Sequence, residues 1–266
     1  MGPVVNDDSE RVTPLPVVLR PWISQLSAAA SGGAPAHPVR AEAPDAATAL
    51  VVRTTSDRTE LVVMGPRTRA EYFEVSRVPF CVKMRMQPGR AQSLLGVPLR
   101  GIVDRVVPLS DLWGVAGDRL TDDLSKVGSD PTAVVGLLAA TLMDQVRTRS
   151  RHDLARDELV RSATIALTSL TSPGSQVRTT ARRLNVSERH LRNLFTDAIG
   201  IPPKHVARIA RMRHVLAGVS QQSLTHLAAE AGYYDQSHMT AEFRRMMGVS
   251  PGAFLTGQLP AALPCH

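Results

Sequence analysis

Two segments in the C-terminal half of the chain repeat one another, and that repeat constrains the fold more than any other feature. Ala181 and Asn185 recur as Ala228 and Gly232 at a spacing of 47 residues. Ser187, His190, Leu191, Phe195, Gly200 and Pro203 then recur as Asp235, His238, Met239, Phe243, Gly248 and Pro251 at a spacing of 48. One additional residue in the second copy accounts for the step. Each copy begins with a helix carrying a small residue for close packing, followed by a turn at Asn185 or Gly232, residue types that tolerate left-handed backbone. Ser187 or Asp235 then supplies an N-cap. A second helix follows, apolar at Leu191, Leu194 and Phe195 in one copy and at Met239, Phe243 and Met246 in the other, and a glycine ends it. This is the grammar of a helix-turn-helix, written twice.

Between the copies, "PKHVARIARMRHVLAG" aligns Val206, Ile209, Met212, Val215 and Leu216 in one stripe, with Lys204, Arg208, Arg211 and Arg213 largely off it. A continuous helix here, rising about 1.5 Å per residue, is a rigid spacer. Two major-groove insertions one helical turn apart, roughly 34 Å, need such a spacer. The charge agrees with a polyanionic partner: the chain carries 31 Lys and Arg against 24 Asp and Glu, and residues 155–258 hold 13 of the former and 7 of the latter. The rest of the chain is almost balanced, so the excess lies in the helical part. A solvated basic surface explains charge alone equally well, whereas the repeat favours DNA.

On the first recognition helix, 187–199, the period turns Leu191, Leu194 and Phe195 inward and Arg189, Arg192 and Asn193 outward. Arg forks onto guanine O6 and N7, and Asn onto adenine N6 and N7, so this face suits base edges. On the second helix Met239 and Phe243 face inward, and Gln236, Ser237, Thr240 and Ala241 face out. Arg182, Arg208, Arg211, Arg244 and Arg245 are the expected phosphate contacts, which position a protein without specifying sequence. His190 is read as a structural hydrogen-bonding residue; for His238 a structural role and a base contact both stay open.

The tandem units and their linking helix, above all "GYYDQSHMTAEFRRMMGVSPGAF", resemble the C-terminal DNA-binding domain of the AraC/XylS family of bacterial transcription regulators over about 100 residues. The resemblance implies base reading from the same outward positions. The sequence departs from the family pattern at Asn185, where Gly is usual, and at Ala241, where many members carry Arg; the second departure leaves the second unit to read bases through Gln236 or mainly to grip the backbone.

Residues 1–45 mix Pro, Ala, Gly and Ser without a period and read as a flexible leader. Strand patterns follow in "ALVVRT", "ELVVM" and "PFCVKMRM"; in the last, Phe80, Val82, Met84 and Met86 alternate with Cys81, Lys83 and Arg85. Gln87-Pro88-Gly89 closes it as a turn. Pro131 starts an amphipathic helix with Val134, Leu137, Leu138, Leu142 and Val146 on its stripe, packed at home or on a second copy. The expected organisation is a leader at 1–45, a β-rich sensor or dimerisation domain with a C-terminal helix at 46–152, the DNA-binding domain at 153–258 and a tail at 259–266. The fold class is thus α+β: a β-rich N-terminal domain, then an all-α tandem helix-turn-helix domain joined by a linking helix. The stretch from "ELVVMGPRTRAEYFEV" to "LLGVPLRGIVDRVVPLSDLWG" is similar to a β-rich, sensor-like domain that precedes such DNA-binding domains in actinobacterial regulators. In the sensor reading Trp22, Arg53, Arg85 and Trp113 line a small-molecule effector site. In its rival this part is an interaction module for a homodimer or RNA polymerase.

Enzyme chemistry finds little footing. No histidine stands between His37 and His152, so the β-rich part lacks the ligand cluster of a cupin-type metal centre. P-loop, GxGxxG and Gly-X-Ser-X-Gly signatures are absent. Cys81 sits on a strand with no nearby His, which leaves a DNA-alkyl acceptor as a remote alternative, behind an architectural or mobile-element DNA-binding protein. Two cysteines, Cys81 and Cys265, make neither a disulfide framework nor a Cys-type zinc site. Asp7, Asp8 and Glu10 occupy the place where an export signal needs basic residues, and no run approaches 18 apolar residues. The expectation is a cytoplasmic, nucleoid-associated regulator of double-stranded DNA, without catalysis, cofactor, metal or membrane span.

Overall fold

A computed structural model describes residues 4–5, 11–30, 39–55, 58–74, 80–169 and 176–263. Among them, strands β1 (Val4–Val5), β2 (Arg11–Val12), β3 (Ile23–Ala30), β4 (Val39–Glu42), β5 (Ala49–Thr54), β6 (Thr59–Met64), β7 (Glu71–Glu74), β8 (Phe80–Met86) and β9 (Val106–Pro108) form two sheets. Helices α1 (Ala91–Leu95), α2 (Ser110–Trp113), α3 (Val115–Val127) and α4 (Pro131–Arg147) belong to this β-rich part. The helical half comprises α5 (Arg151–Thr168), α6 (Gln176–Arg183), α7 (Glu188–Ala198), α8 (Pro203–Gly218), α9 (Leu224–Glu230), α10 (Gln236–Met247) and α11 (Pro251–Leu255). The architecture is the expected α+β one.

The larger sheet runs β2-β3-β8-β5-β6-β9, antiparallel throughout. Strand β8 lies at its middle, where the alternation has its full effect: Phe80, Val82, Met84 and Met86 are buried, and Cys81, Lys83 and Arg85 half-buried. The buried face packs with Leu50, Val52, Leu61 and Val63 against Leu94, Leu95, Leu120, Leu124, Val134, Leu138 and Leu142. The stripe of α4 is therefore satisfied within the chain rather than by a second copy. Asp130 caps α4 by accepting from Thr132 N, with Pro131 at its first position.

The leader expected at 1–45 needs correction. Ile23–Ala30 is a strand of the main sheet, with Leu26 opposite Met84 and Ala28 opposite Val82, and Leu19, Ile23 and Leu26 are buried in the core. Apolar side chains at Leu19, Ile23 and Leu26 override the Pro, Ala, Gly and Ser composition around them. Residues 1–3, 6–10 and 31–38 of that stretch, and Cys265, lie outside the described residues.

The smaller sheet, β1-β4-β7, joins the two halves. Its Ala41 and Tyr72 are buried in the same core as Leu191, Phe195, Met239 and Phe243. Tyr72 Oη donates to the Met247 carbonyl at 2.7 Å and Ala70 N donates to the Met246 carbonyl at 2.7 Å. The β-rich part thus supplies donors to the end of α10, where helical carbonyls lack intrahelical partners. Burial lifts the Tyr72 phenol to about 12. Glu42, buried on β4, is paired with Arg67 and Arg40; burial pushes its carboxyl up, but Arg67, Lys83 and Arg40 together hold it below the usual range.

Other latches tie the halves. Arg85 grips Asp45 with two hydrogen bonds of 2.9 and 2.8 Å, and Arg213 of α8 approaches the same carboxylate at 3.7 Å and donates to the Pro44 carbonyl at 3.4 Å. Arg90 pairs with Glu158 of α5 at 2.9 Å. At Gly89, with φ of +78°, an added Cβ would lie 2.8 Å from a methyl of Val160; at Gly200, with φ of +89°, it would lie 2.9 Å from the Leu99 carbonyl oxygen. Both contacts between halves therefore require glycine.

Burial opposes ionisation of Asp45, but Arg85 and Arg213 prevail and hold its pKa at about 2 against an ordinary 3.8. A carboxyl depressed in the folded state contributes stability that is present above its ordinary pKa and lost as pH falls through about 2. Asp45→Asn is expected to lower unfolding free energy at pH 7 by about 2 kcal/mol and to flatten its decline on acidification below pH ~4, as read by urea titrations across pH; an unchanged pH profile would contradict this. Tyr72→Phe leaves the Met247 carbonyl without that donor and is expected to cost about 1 kcal/mol in the same measurement.

Candidate nucleic-acid interface

Helices α6 and α7 form the first unit and α9 and α10 the second, and the sequence correspondences recur as matched backbone geometry. Asn185 and Gly232 are left-handed, with φ of 54° and 70°. The residue after each turns back to the first helix: Val186 N donates to the Ala181 carbonyl and Tyr233 N to the Ala228 carbonyl, both at 2.9 Å. Ser187 then caps α7 by accepting from His190 N at 3.1 Å, and Asp235 caps α10 by accepting from His238 N at 2.7 Å. The structural hydrogen bond expected of His190 is thus made by its backbone, while its ring is exposed. The His238 ring meets Tyr233 edge-on, 5.4 Å between centroids.

These turns fix which faces are free. Leu191, Leu194 and Phe195 are buried, and Arg189, Arg192 and Asn193 are exposed on the other side of α7. On α10, Met239 and Phe243 are buried, Gln236, Ser237 and Ala241 are exposed, and Thr240 is half-buried. The Gln236 amide oxygen accepts from Thr225 Oγ1 of α9 at 2.8 Å, which orients that side chain at the start of the helix. Arg182, Arg244 and Arg245 are exposed.

Arg208 and Arg211 differ from expectation. Arg208 Nε donates to Glu242 Oε1 at 3.2 Å, Arg211 lies 3.8 Å from the same oxygen, and the Arg211 guanidinium covers the Tyr233 ring at 4.8 Å. Glu242 is buried, so this cluster ties α8 to α10, and Arg208 and Arg211, expected as phosphate contacts, stand paired with a buried carboxylate. The sequence carries one signal for Glu242: at the repeat spacing of 48 it stands where the first unit has the inward Leu194. A carboxylate in an apolar position needs cationic partners, and α8 offers two, three residues apart.

The four side chains expected to line an effector site do not converge. Arg53 is paired with Glu60 across the β5–β6 hairpin, and Arg85 with Asp45 and Ser24. Trp22 lies under the Arg90 guanidinium at 5.0 Å, and Trp113 Nε1 donates to the Leu95 carbonyl at 2.7 Å. Each is already engaged in holding the β-rich part together. A polar cavity of about 70 Å³ between α1 and α5 is lined by Ser93, Arg149, Asp153, Arg156 and Asp157 and includes none of the four; burial raises the pKa of its Asp157. Cys81 is half-buried on β8. Among the described residues no group of three or more His, Cys, Asp or Glu is arranged to hold a metal ion, and no helix is long and apolar enough to cross a membrane.

A family model described as a helix-turn-helix domain matches residues 180–257. No curated protein matches the chain. Among solved structures the chain is similar to a probable AraC family transcriptional regulator from Rhodopseudomonas palustris CGA009, 20% identical, with 39% of this chain and 99% of that one covered and a TM-score of 0.34. It is similar also to the C-terminal domain of AraT, a response regulator from Geobacillus stearothermophilus, 21% identical over 44% of this chain and 96% of that one, TM-score 0.34. A longer match is to unsaturated fatty acid bound wild-type ToxT from Vibrio cholerae strain SCE256, 12% identical over 85% of this chain and 88% of that one, TM-score 0.39. On the family match, whose span contains both turns, residues 180–257 are a helix-turn-helix domain.

Proposed function

We propose that this chain is a sequence-specific, DNA-binding regulator of transcription whose α7 and α10 enter consecutive major grooves of one duplex. The observation that carries the proposal is the matched pair of turns, each leaving the outer face of a recognition helix exposed, on either side of a spacer of 16 residues, about 24 Å long. In this reading Arg189, Arg192 and Asn193 read base edges from α7. Gln236 and Ser237 contribute from α10, with Thr240 and Ala241 at the edge of the contact. Arg182, Arg244 and Arg245 grip phosphates. The DNA-binding part spans 153–258, and the β-rich part acts as its brace through Tyr72, Asp45 and Arg90. An effector would then act by loosening that brace, and a thermal shift against a metabolite panel is the way to find one.

The test begins with selection of bound sites from randomised duplexes. Arg192→Ala is expected to weaken binding to the selected site by about 1 to 3 kcal/mol while changing a scrambled duplex much less. An equal loss on both would contradict base reading. Arg245→Ala, by contrast, is expected to weaken both duplexes alike and to reduce the slope of log K against log salt by about one, as measured by salt-dependent titration.

A further inference from the structure

The two units match residue for residue through their turns except at one position. Asn185 corresponds to Gly232 in its left-handed backbone, Val186 to Tyr233 in its hydrogen bond to the preceding helix, and Ser187 to Asp235 as N-cap. Only Tyr234 has no counterpart, so it is the residue that lengthens the repeat from 47 to 48. The fold does not use its ring: Tyr234 is 93% exposed, whereas Tyr233 beside it is buried. An aromatic side chain left wholly in water by the chain that carries it points to a surface met in a complex.

The neighbours indicate which surface. Asp235, Gln236, Ser237 and, across the helix pair, Thr225 are all exposed and polar, so Tyr234 does not belong to an apolar patch of the kind that receives another protein. It stands one residue before the N-cap of α10, and the start of a recognition helix is the end that approaches the duplex. Its hydroxyl is a donor for a phosphate oxygen, and its ring is a flat cover for the adjoining sugar. At the start of α10 other donors for this task are few, since Ala241 offers none, Arg208 and Arg211 are held by Glu242, and Arg244 and Arg245 stand in the helix's last turn. We propose that Tyr234 clamps the sugar-phosphate backbone beside the second wedge, as an affinity contact that reads no base. This rests on the DNA-binding reading above.

The experiment uses the full chain, a duplex recovered by selection and a scrambled duplex of equal length. Tyr234→Ala is expected to weaken both by about 5- to 10-fold, with their ratio and the melting temperature of the free protein unchanged. Tyr234→Phe should recover less than half of that loss. A methylphosphonate at the contacted position, which removes the phosphate charge, should abolish the difference between wild type and Tyr234→Ala. Wild-type affinity in Tyr234→Ala, alongside a loss in Arg192→Ala, overturns the clamp and leaves the DNA-binding reading standing. A fall in melting temperature that accompanies the loss assigns Tyr234 to the fold and also overturns it. Failure of the wild-type chain to bind any duplex overturns both.

Discussion

Each recognition helix can start only where the chain reverses direction within a few residues, and that reversal demands one left-handed residue followed closely by a side-chain oxygen. Asn185 and Gly232 supply the first, with φ of 54° and 70°, and Ser187 and Asp235 the second. Asn accepts the left-handed well at modest cost and Gly at none, while the caps satisfy amide groups that a helix leaves unpaired at its start. Once the start is fixed, the helical period fixes the rest. Leu191 and Phe195, or Met239 and Phe243, are buried, so Arg192 and Asn193, or Gln236 and Ser237, must face solvent. The chemistry offered to DNA is therefore set by the turns, several residues away from the side chains that carry it.

The spacer alone does not hold the two wedges in register. Helix α8 is bolted to α10 by Glu242 with Arg208 and Arg211, and to the β-rich part by Arg213 at Asp45 and Pro44. The far end of α10 receives donors from Ala70 and Tyr72. A buried carboxylate with two guanidiniums is costly to break by removing one partner, so the angle between spacer and second wedge is stiff. Ala41 and Tyr72 share one core with both units, so the small sheet packs against the elements that carry α10.

Much of this was legible in the sequence where a local period or a local chemical rule decides structure. The repeat, both caps, the left-handed sites and the alternation of β8 fall in this class. Three features were hidden because they are decided by distant partners. Strand β3 carries "SQLSAAA", whose small and polar residues show no strand propensity, and its place is set by pairing with β8. Arg208 and Arg211 face off the apolar stripe of α8, as the period requires, yet they face Glu242, which no helical wheel of α8 contains. Trp22, Arg53, Arg85 and Trp113 have the chemistry of ligand contacts, and each is taken by a partner brought from elsewhere in the chain.

In the proposed complex two wedges of one chain meet one duplex on one face. Hydroxyl-radical footprinting of a selected duplex bound by the full chain measures this directly. Two protected backbone patches centred about 10 to 10.5 base pairs apart on the same side of the helix are expected. A single patch, or two on opposite sides, would contradict this arrangement.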